Sequence, residues 1–143
     1  MPARVITSAS LDAYHNLACE ELLLDALAPE ETVLFLWRSH LAVVIGKHQS
    51  PWRECRCAEV ELAGGQVARR LSGGGAVYHD PGNLNFCFLT PRATYDAAAL
   101  AGIVLDGLRR VGLAATVGPR HVLQLADRQF SGNAFCLRRG RAL

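Results

Sequence analysis

Lysine is nearly missing from this 143-residue sequence. Lys47 is the only lysine among fifteen basic residues, and the other fourteen are arginines. Any reaction step that needs a lysine amine must therefore use Lys47 or proceed without one. The net charge is only +2, too small to attract nucleic acid, so no nucleic-acid partner is expected. The close spacing of Arg138, Arg139 and Arg141 most often marks a solvated surface, with phosphate contact as the alternative.

Long apolar runs and regularly spaced cysteines are also missing. No apolar run approaches the roughly 20 residues of a membrane-spanning helix, so no membrane partner is expected. The five cysteines are odd in number and irregularly spaced, which argues against a disulfide framework and predicts a reducing compartment. Half of the residues are apolar and a fifth are charged, as in folded domains. The length suits one hydrophobic core, and we expect a monomer.

The spacing of apolar residues predicts helices in three regions. The first helix is predicted over residues 11–28, with Ser10 as its cap and with one face formed by Tyr14, Leu17, Ala18 and Leu22. A second helix is predicted from Ser50-Pro51 to Gly64-Gly65, and a third from about Tyr95 to Gly112.

Between and after these helices the sequence predicts strands. Residues 32–37 and 41–45 are β-rich runs joined by a short polar turn, which is typical of a hairpin. Further strands are predicted at residues 66–71, 76–79, 84–89, 113–117, 122–125 and 135–137. Because hairpin-type connections dominate, we expect an α+β domain with a mixed, largely antiparallel sheet and flanking helices.

The segment from Arg69 to Asp80 carries the clearest chemistry. It reads Arg-Arg-Leu-Ser-Gly-Gly-Gly-Ala-Val-Tyr-His-Asp, and consecutive glycines let backbone N–H groups approach an anion closely. The neighbouring Arg70 suits a carboxylate or a phosphate. The alternative is a flexible turn between strand arginines on a solvated face. Walker A and dinucleotide motifs do not fit, because Ala76-Val77 follows the glycines and Tyr78 replaces the third glycine.

With Gly82-Asn83-Leu84-Asn85-Phe86 after it, this segment resembles the signature of lipoate–protein ligases. Residues 43–55, Val-Val-Ile-Gly-Lys-His-Gln-Ser-Pro-Trp-Arg-Glu-Cys, are similar to the second block of that family. Their Pro-Trp-x-Glu-Cys form resembles the mitochondrial lipoyltransferases of animals, as does the run Ser-Ala-Ser-Leu-Asp-Ala-Tyr-His-Asn-Leu-Ala at residues 8–18. The resemblance covers essentially all of residues 1–143 and identifies them as the N-terminal part of a catalytic domain.

This resemblance implies the fold of biotin and lipoate ligases, which is related to the core of class II aminoacyl-tRNA synthetases. It implies transfer of a lipoyl group from lipoyl-adenylate to a lysine of a lipoyl domain, in E2 subunits of 2-oxoacid dehydrogenases or in the glycine-cleavage H protein. The implied ligands are lipoyl-adenylate, or lipoate plus ATP, with Mg²⁺ if the chain forms the adenylate. The animal branch implies a mitochondrial location, with which the acid-free residues 1–10 are compatible.

Carried over by motif, the resemblance also implies roles for particular residues. Arg70 would contact the nucleotide phosphate or the acyl carbonyl, and the backbone from Gly75 to Tyr78 would lie along the adenylate. Ser72 and His79 would line the acyl tunnel or its mouth, with a hydrogen-bonded structural histidine as the open alternative for His79. The implied nucleotide- and lipoyl-binding residues are Arg70, Ser72, Gly73, Gly74, Gly75, Ala76, Val77, Tyr78, His79 and Gln129.

The third family block departs from its pattern. The family has Lys-Ile/Val-Ser-Gly-Ser/Thr-Ala, whose lysine binds carboxylate and phosphate, whereas this chain has Gln-Phe-Ser-Gly-Asn-Ala from Gln129. A neutral glutamine forms weaker contacts with anions, so we expect poor activation, and the catalytic residues stay unassigned. Lys47 is not an obvious substitute, because the family usually has arginine there. The family continues past the position of Leu143 with a His-His motif and more strands, so we expect an incomplete catalytic domain.

Several alternatives stay open. The main one is a non-catalytic, truncated relative that binds lipoyl-nucleotide or an acceptor domain without turnover. Cys136 is an alternative nucleophile of the kind that forms thioesters in related amidotransferases, although no histidine is near it in sequence. Cys55-x-Cys57 with His48 has the wrong spacing for zinc, and no metal ligands are predicted. A biotin ligase is disfavoured because its Gly-Arg-Gly-Arg-type loop is absent.

Overall fold

The computed structural model describes residues 3–119 and 122–143, which divide into two compact units. Of the described residues, the first unit contains 3–93 and 135–143, and the second contains 94–119 and 122–134. The helices are α1 (Ala13–Ala26), α2 (Pro51–Glu54), α3 (Cys57–Leu62) and α4 (Ala97–Arg110), with a 3-10 helix at Arg92–Thr94. The strands are β1 (Ala3–Thr7), β2 (Thr32–Trp37), β3 (Ala42–Ile45), β4 (Gln66–Arg69), β5 (Val77–His79), β6 (Asn85–Pro91), β7 (Ala115–Val117), β8 (Leu123–Leu125), β9 (Arg128–Ser131), β10 (Leu137–Arg138) and β11 (Arg141–Ala142).

The strands of the first unit form two sheets. One has the order β1-β2-β6-β11-β10, and the other has the order β4-β3-β5. The pairs β1–β2 and β3–β4 are parallel, whereas β2–β6, β6–β11, β10–β11 and β3–β5 are antiparallel. The predicted α+β class with a mixed, largely antiparallel arrangement is confirmed.

The predicted hairpin between residues 32–37 and 41–45 is wrong. Both runs are strands, but β2 pairs with β1 and β6, whereas β3 pairs with β4 and β5. In β2 the alternate side chains of Val33, Phe35 and Trp37 are buried. The polar turn at residues 38–41 therefore passes the chain from one sheet to the other instead of closing a hairpin.

Helix α1 is present where the sequence predicts it, but its cap and its buried face differ from the prediction. Asp12, not Ser10, caps the helix by accepting a hydrogen bond from the His15 N–H at 2.9 Å. The predicted face is wrong, because Tyr14 and Leu22 are exposed. The buried residues of the helix are Ala13, Asn16, Glu20 and Leu24.

The two ends of α1 belong to different hydrophobic clusters. Near its end, Leu24 and Leu27 pack with Val33 of β2 and Leu89 of β6. At its start, Ala13 packs with two further alanines, one from each of the parallel strands β3 and β4, which are Ala42 and Ala68. Small side chains let the helix backbone lie close to this second sheet. Helix α1 thus holds the two sheets of the first unit together.

Two of the arginines near residue 143 tie β10 and β11 to α1. Arg138 forms ion pairs with Glu21 at 2.5 Å and with Asp25 at 3.3 Å. Arg141 donates from Nε and Nη2 to the Leu27 carbonyl oxygen at 3.3 and 3.2 Å. The expectation of a simply solvated arginine cluster is therefore wrong for these two residues.

The helix predicted from residue 50 to residue 65 is interrupted. Cys55 is extended, with φ −152° and ψ 163°, and it separates α2 from α3. Strands β1, β9 and β11 lie outside the sequence prediction. Helix α4 confirms the third predicted helix, and Asp96 caps it by accepting hydrogen bonds from the N–H groups of Ala98 and Ala99.

The second unit is a small α+β unit. It contains α4 and the antiparallel sheet β7-β8-β9, which has an irregularity between Leu123 and Gln124. Helix α4 contacts β7. Among the residues that the structure describes, no helix has the length and apolarity needed to cross a membrane.

The corrected face of α1 gives a stability prediction. Leu24 is 0% exposed and Leu22 is 69% exposed in the same helix. Leu24→Ala should lower the free energy of unfolding by about 2–5 kcal/mol, because it leaves a cavity between α1 and the sheet. The matched Leu22→Ala should change it by no more than about 0.5 kcal/mol. Urea denaturation measures both values, and equal losses would show that the helix is rotated from this orientation.

Candidate active site

One arginine organises the glycine-rich loop. The Arg70 guanidinium donates to the Ser72 hydroxyl at 3.2 Å and to the Val44 carbonyl of β3 at 3.1 Å. Its Nη2 donates to the carbonyls of Gly73 at 2.6 Å and Gly75 at 2.8 Å. A guanidinium has five N–H donors, so these bonds use most of its capacity. Arg70 is therefore the centre around which the loop folds.

The preceding arginine holds the adjacent turn. Successive strand residues point to opposite faces, so Arg69 reaches the other side of β4. Its Nη1 donates to the carbonyls of Gly46, Lys47 and Gln49 at 3.0, 3.1 and 2.7 Å. The Gln49 side chain in turn accepts from the Gly46 N–H at 2.7 Å. Arg69 thus has a structural role that the sequence did not reveal.

The turn and the loop meet at two glycines. A Cβ atom on Gly46 would collide with the Gly74 carbonyl oxygen, and the Lys47 N–H donates to the Ser72 carbonyl at 2.9 Å. Gly74 has φ +93°, a left-handed conformation that residues with a Cβ atom rarely adopt. A Cβ there would also lie 2.9 Å from Nη2 of Arg70. The close contact and the reversed backbone both require glycine.

The loop presents hydrogen-bond donors outward. Its Gly73 and Gly75 carbonyls accept from Arg70, whereas no acceptor in the described part of the chain takes a bond from the N–H groups of Gly73, Gly74 or Gly75. Gly74 and Gly75 are exposed. Unpaired N–H groups beside a half-buried cation favour an anionic ligand, because both the dipoles and the charge attract it. The predicted anion-binding geometry therefore fits this loop.

A buried carboxylate lies behind the site. Glu20 of α1 accepts a hydrogen bond from Trp37 Nε1 at 2.7 Å and another from the Cys87 thiol at 2.6 Å. It is 5% exposed, and burial is the main cause that raises its pKa, opposed by the bonds from Cys87 and Trp37 and by the positive charge of Arg70. Burial also raises the pKa of Cys87, and the Glu20 charge raises it further. Sequence analysis missed this cluster; its signal was Asn16 and Glu20, spaced four residues apart on the buried face of α1.

Burial and nearby charge also affect Arg70 and His79. Burial lowers the Arg70 pKa, and the negative charge of Glu20 opposes that change. Burial lowers the pKa of His79, and the charge of Arg70 lowers it further, which favours a neutral imidazole. The Asn85 amide nitrogen lies 3.4 Å from Nδ1 of His79. Because an amide nitrogen only donates, Nδ1 is the acceptor and Nε2 carries the proton.

The structure brings most of the predicted binding residues together in the first unit. Ser72 and His79 are buried, and the His79 ring lies 5.7 Å from the Trp37 ring, centroid to centroid. The intervening loop residues from Gly74 to Tyr78 are exposed. Gln129 belongs to the second unit, where its exposed side chain lies on β9 opposite Gln124 of β8.

Comparison with known proteins identifies the family. The model of the lipoyl protein ligase A/B catalytic domain matches residues 12–143. Lipoate-protein ligase A of Psychrobacter cryohalolentis is 43% identical over 135 residues, which are 94% of this chain and 40% of that protein. This chain belongs to the lipoyl protein ligase A/B catalytic-domain family. The resemblance found in the sequence motifs is thereby confirmed.

Solved structures agree with this membership in the ligase family. The crystal structure of P. falciparum LipL1 in complex with lipoate matches at a TM-score of 0.90 and 30% identity, covering 99% of this chain and 46% of that one. The crystal structure of a lipoate-protein ligase A bound with ATP matches at a TM-score of 0.85 and 25% identity, covering 99% and 64%. The chain thus spans less than two thirds of the length of each of these relatives.

The contact between the turn and the loop predicts different costs for two glycine substitutions. Gly46→Ala places a methyl group against the Gly74 carbonyl, so we expect a loss of about 1–3 kcal/mol in the free energy of unfolding. Gly75→Ala meets no atom within 4 Å and should stay within about 0.5 kcal/mol of the wild type. Urea denaturation of both variants tests this contact, which a harmless Gly46→Ala would contradict.

The raised pKa of Glu20 predicts a pH-dependent stability. The folded chain holds this proton more tightly than the unfolded chain, whose glutamate has the ordinary value of 4.5. Ionisation of Glu20 therefore costs stability above that pH, and the cost grows until the pH passes the folded pKa. Glu20→Gln cannot ionise, yet it still accepts from Trp37. Its stability relative to wild type should improve from about pH 4 to about pH 8 in urea titrations.

A matched variant separates this effect from a general change in charge. Glu61→Gln removes an exposed carboxylate of α3 and serves as the control. A relative stability of Glu20→Gln that is flat or falling with pH would contradict the buried, destabilised carboxylate.

Proposed function

We propose that this chain acts in protein lipoylation, as a lipoyltransferase that passes a lipoyl group from lipoyl-adenylate to a lysine of a lipoyl domain. The observation that carries the proposal is the glycine-rich loop, whose N–H groups have no acceptor in the described part of the chain and whose carbonyls bind the half-buried Arg70. This arrangement suits the single phosphate of an acyl-adenylate. Membership of the ligase family supports the lipoyl group as the acyl part.

Ligands of two relatives support the substrate class. LipL1 of P. falciparum was solved with lipoate, and a lipoate-protein ligase A was solved with ATP. We therefore propose lipoyl-adenylate, or lipoate plus ATP, as the ligand of this chain. Within residues 3–119 and 122–143, no group of three or more His, Cys, Asp or Glu side chains is placed to hold a metal ion. Mg²⁺ would accompany the phosphates of ATP if the chain forms the adenylate.

The residues of the first unit would have distinct parts in transfer. The backbone from Gly75 to Tyr78 would lie along the adenylate, and Arg70 would neutralise its phosphate from behind the loop while it fixes the loop carbonyls. Ser72 and neutral His79 would line the mouth of the acyl site. Fixed donors in such a site need no reorganisation when charge develops, which favours attack by the acceptor amine.

Gln129 bears on which reaction this chain performs. The family lysine would supply a charge at this position, whereas glutamine supplies hydrogen bonds alone. Activation of lipoate by ATP gathers a carboxylate and a triphosphate, so it needs more positive charge than transfer from a preformed adenylate. Gln129 therefore supports transfer from lipoyl-adenylate over formation of the adenylate.

Gln129 also supports a second candidate function. A non-catalytic relative would bind lipoyl-nucleotide or an acceptor domain without turnover. Such a protein would keep the glycine-rich loop but would not need the charged lysine of the third family block. The intact loop contacts of Arg70 are compatible with this non-catalytic form.

The proposed acceptors are E2 subunits of 2-oxoacid dehydrogenases and the glycine-cleavage H protein, whose lipoyl domains offer a lysine amine. A mitochondrial location is part of the proposal, and it rests on the likeness of Pro51-Trp52-x-Glu54-Cys55 to the animal branch. Fluorescence of the tagged full-length protein in cells tests that location directly.

Lipoyl transfer from synthetic lipoyl-adenylate to an isolated lipoyl domain tests the main proposal. We expect the intact mass of the domain to increase by one lipoyl group faster than without the chain. Equilibrium binding of a non-hydrolysable adenylate analogue is measured in parallel. Binding without transfer would favour the non-catalytic relative. The absence of both binding and transfer would contradict both functions.

A charge-restoring variant tests the part of Gln129. A charged hydrogen bond contributes about 1.5–3 kcal/mol and a neutral one about 0.5–1.5 kcal/mol. With lipoate and ATP as substrates, Gln129→Lys should therefore raise adenylate formation by roughly 5- to 30-fold. Gln124→Lys adds the same charge on the paired strand and is the matched control, for which no gain is expected. Equal gains in both variants would show a general effect of charge.

A further inference from the structure

Two cysteines meet at the break between α2 and α3. The Sγ atoms of Cys55 and Cys57 lie 3.7 Å apart. Between them Arg56 has φ −82° and ψ 81°, close to the inverse γ-turn values of about −75° and +65°. An inverse γ-turn bends the chain so that the residues on either side of its centre approach each other. The bend therefore explains why these two side chains are in contact.

The surroundings of the pair leave both thiols available. Cys55 Sγ donates to the Pro51 carbonyl at 3.6 Å, and Cys57 Sγ donates to the Cys55 carbonyl at 3.8 Å, both long contacts. Both side chains are partly exposed, and the neighbouring Arg56 is exposed and forms an ion pair with Glu59 at 3.1 Å. By contrast, Cys87 is bonded to buried Glu20, and the Cys19 sulfur lies against His15. Exposure is one of the conditions under which cysteines react with oxidants.

We propose that Cys55 and Cys57 form an oxidisable dithiol, which a hydroperoxide converts into an intrachain disulfide. The sulfurs must approach from 3.7 Å to about 2.05 Å, a gap that rotation of the two side chains would have to close. The pair lies outside the glycine-rich loop, so this modification does not depend on the proposed lipoyl transfer.

The oxidation balances in two steps. A thiolate attacks one oxygen of hydrogen peroxide, its O–O bond breaks, and a sulfenic acid and hydroxide form. The second thiol then attacks the sulfenic sulfur, the S–S bond forms, and the S–O bond breaks. The two sulfurs lose two electrons, which reduce the peroxide to two molecules of water after the thiol protons are transferred.

The order of attack follows from the surroundings of Cys55. Burial raises the pKa of the Cys55 thiol, and the contact with Cys57 and the charge of Glu54 raise it further. A smaller thiolate fraction makes Cys55 the poorer first nucleophile. The raised pKa therefore suits Cys55 to the second step, in which it attacks the sulfenic sulfur.

Trypsin digestion reports this disulfide directly. Trypsin cuts after Arg53, Arg56 and Arg69, so the two cysteines fall into the separate peptides 54–56 and 57–69. After peroxide treatment of the native chain and alkylation of the remaining thiols, we expect these peptides to be linked. Two of the five thiols should be lost, and the intact mass should fall by two hydrogen atoms.

Matched variants and an unfolded control make the test decisive. Cys55→Ser should abolish the link and leave a sulfenic acid on Cys57 that dimedone traps, whereas Cys19→Ser should keep the link. The native chain should form the link faster than the chain in urea, because the bend at Arg56 places the sulfurs in contact. Five free thiols, pairing with other cysteines, or equal rates in urea would each overturn the proposal.

Discussion

The half-buried guanidinium of Arg70 is the constraint on which the site depends. Its hydrogen bonds join the Val44 carbonyl of β3 to the Ser72 hydroxyl and to the carbonyls of Gly73 and Gly75. These bonds occupy the loop carbonyls, whereas the N–H groups of the three glycines have no acceptor in the described part of the chain. Without this cation, nothing would offset the entropic cost of holding the three glycines in one conformation. Glycine loses more backbone freedom on folding than any other residue.

A cation at this depth requires compensation from the rest of the unit. Desolvation disfavours the charge of Arg70, and the negative charge of Glu20 opposes that effect. Glu20 is itself buried and is stabilised by bonds from Trp37 and Cys87, which lie on β2 and β6. The chemistry of the loop therefore depends on α1 and on the larger sheet, and a substitution at Glu20 acts on the loop through charge rather than through contact.

The sequence predicted the α+β class and the loop rich in N–H donors. Both follow from short segments, because β-forming residues and consecutive glycines can be recognised locally. It did not predict the buried face of α1, since Asn16 and Glu20 are polar residues that a hydrophobic pattern assigns to solvent. It also joined β2 and β3 in a hairpin, because a short turn does not show which sheet each strand enters. The structural role of Arg69 could not be predicted either, because its three carbonyl partners are about twenty residues away in the chain.

Under the proposed function, charge would decide between transfer of a lipoyl group and formation of the adenylate. Transfer from lipoyl-adenylate starts with a single phosphate, and the acyl carbonyl is already activated. Formation of the adenylate instead brings a carboxylate against a triphosphate and expels an anion that must be stabilised. The first unit offers Arg70 behind the loop, and the lone lysine, Lys47, is exposed on the turn that Arg69 holds. On the proposal that Gln129 takes the position of the family lysine, the missing charge should weaken adenylate formation more than transfer.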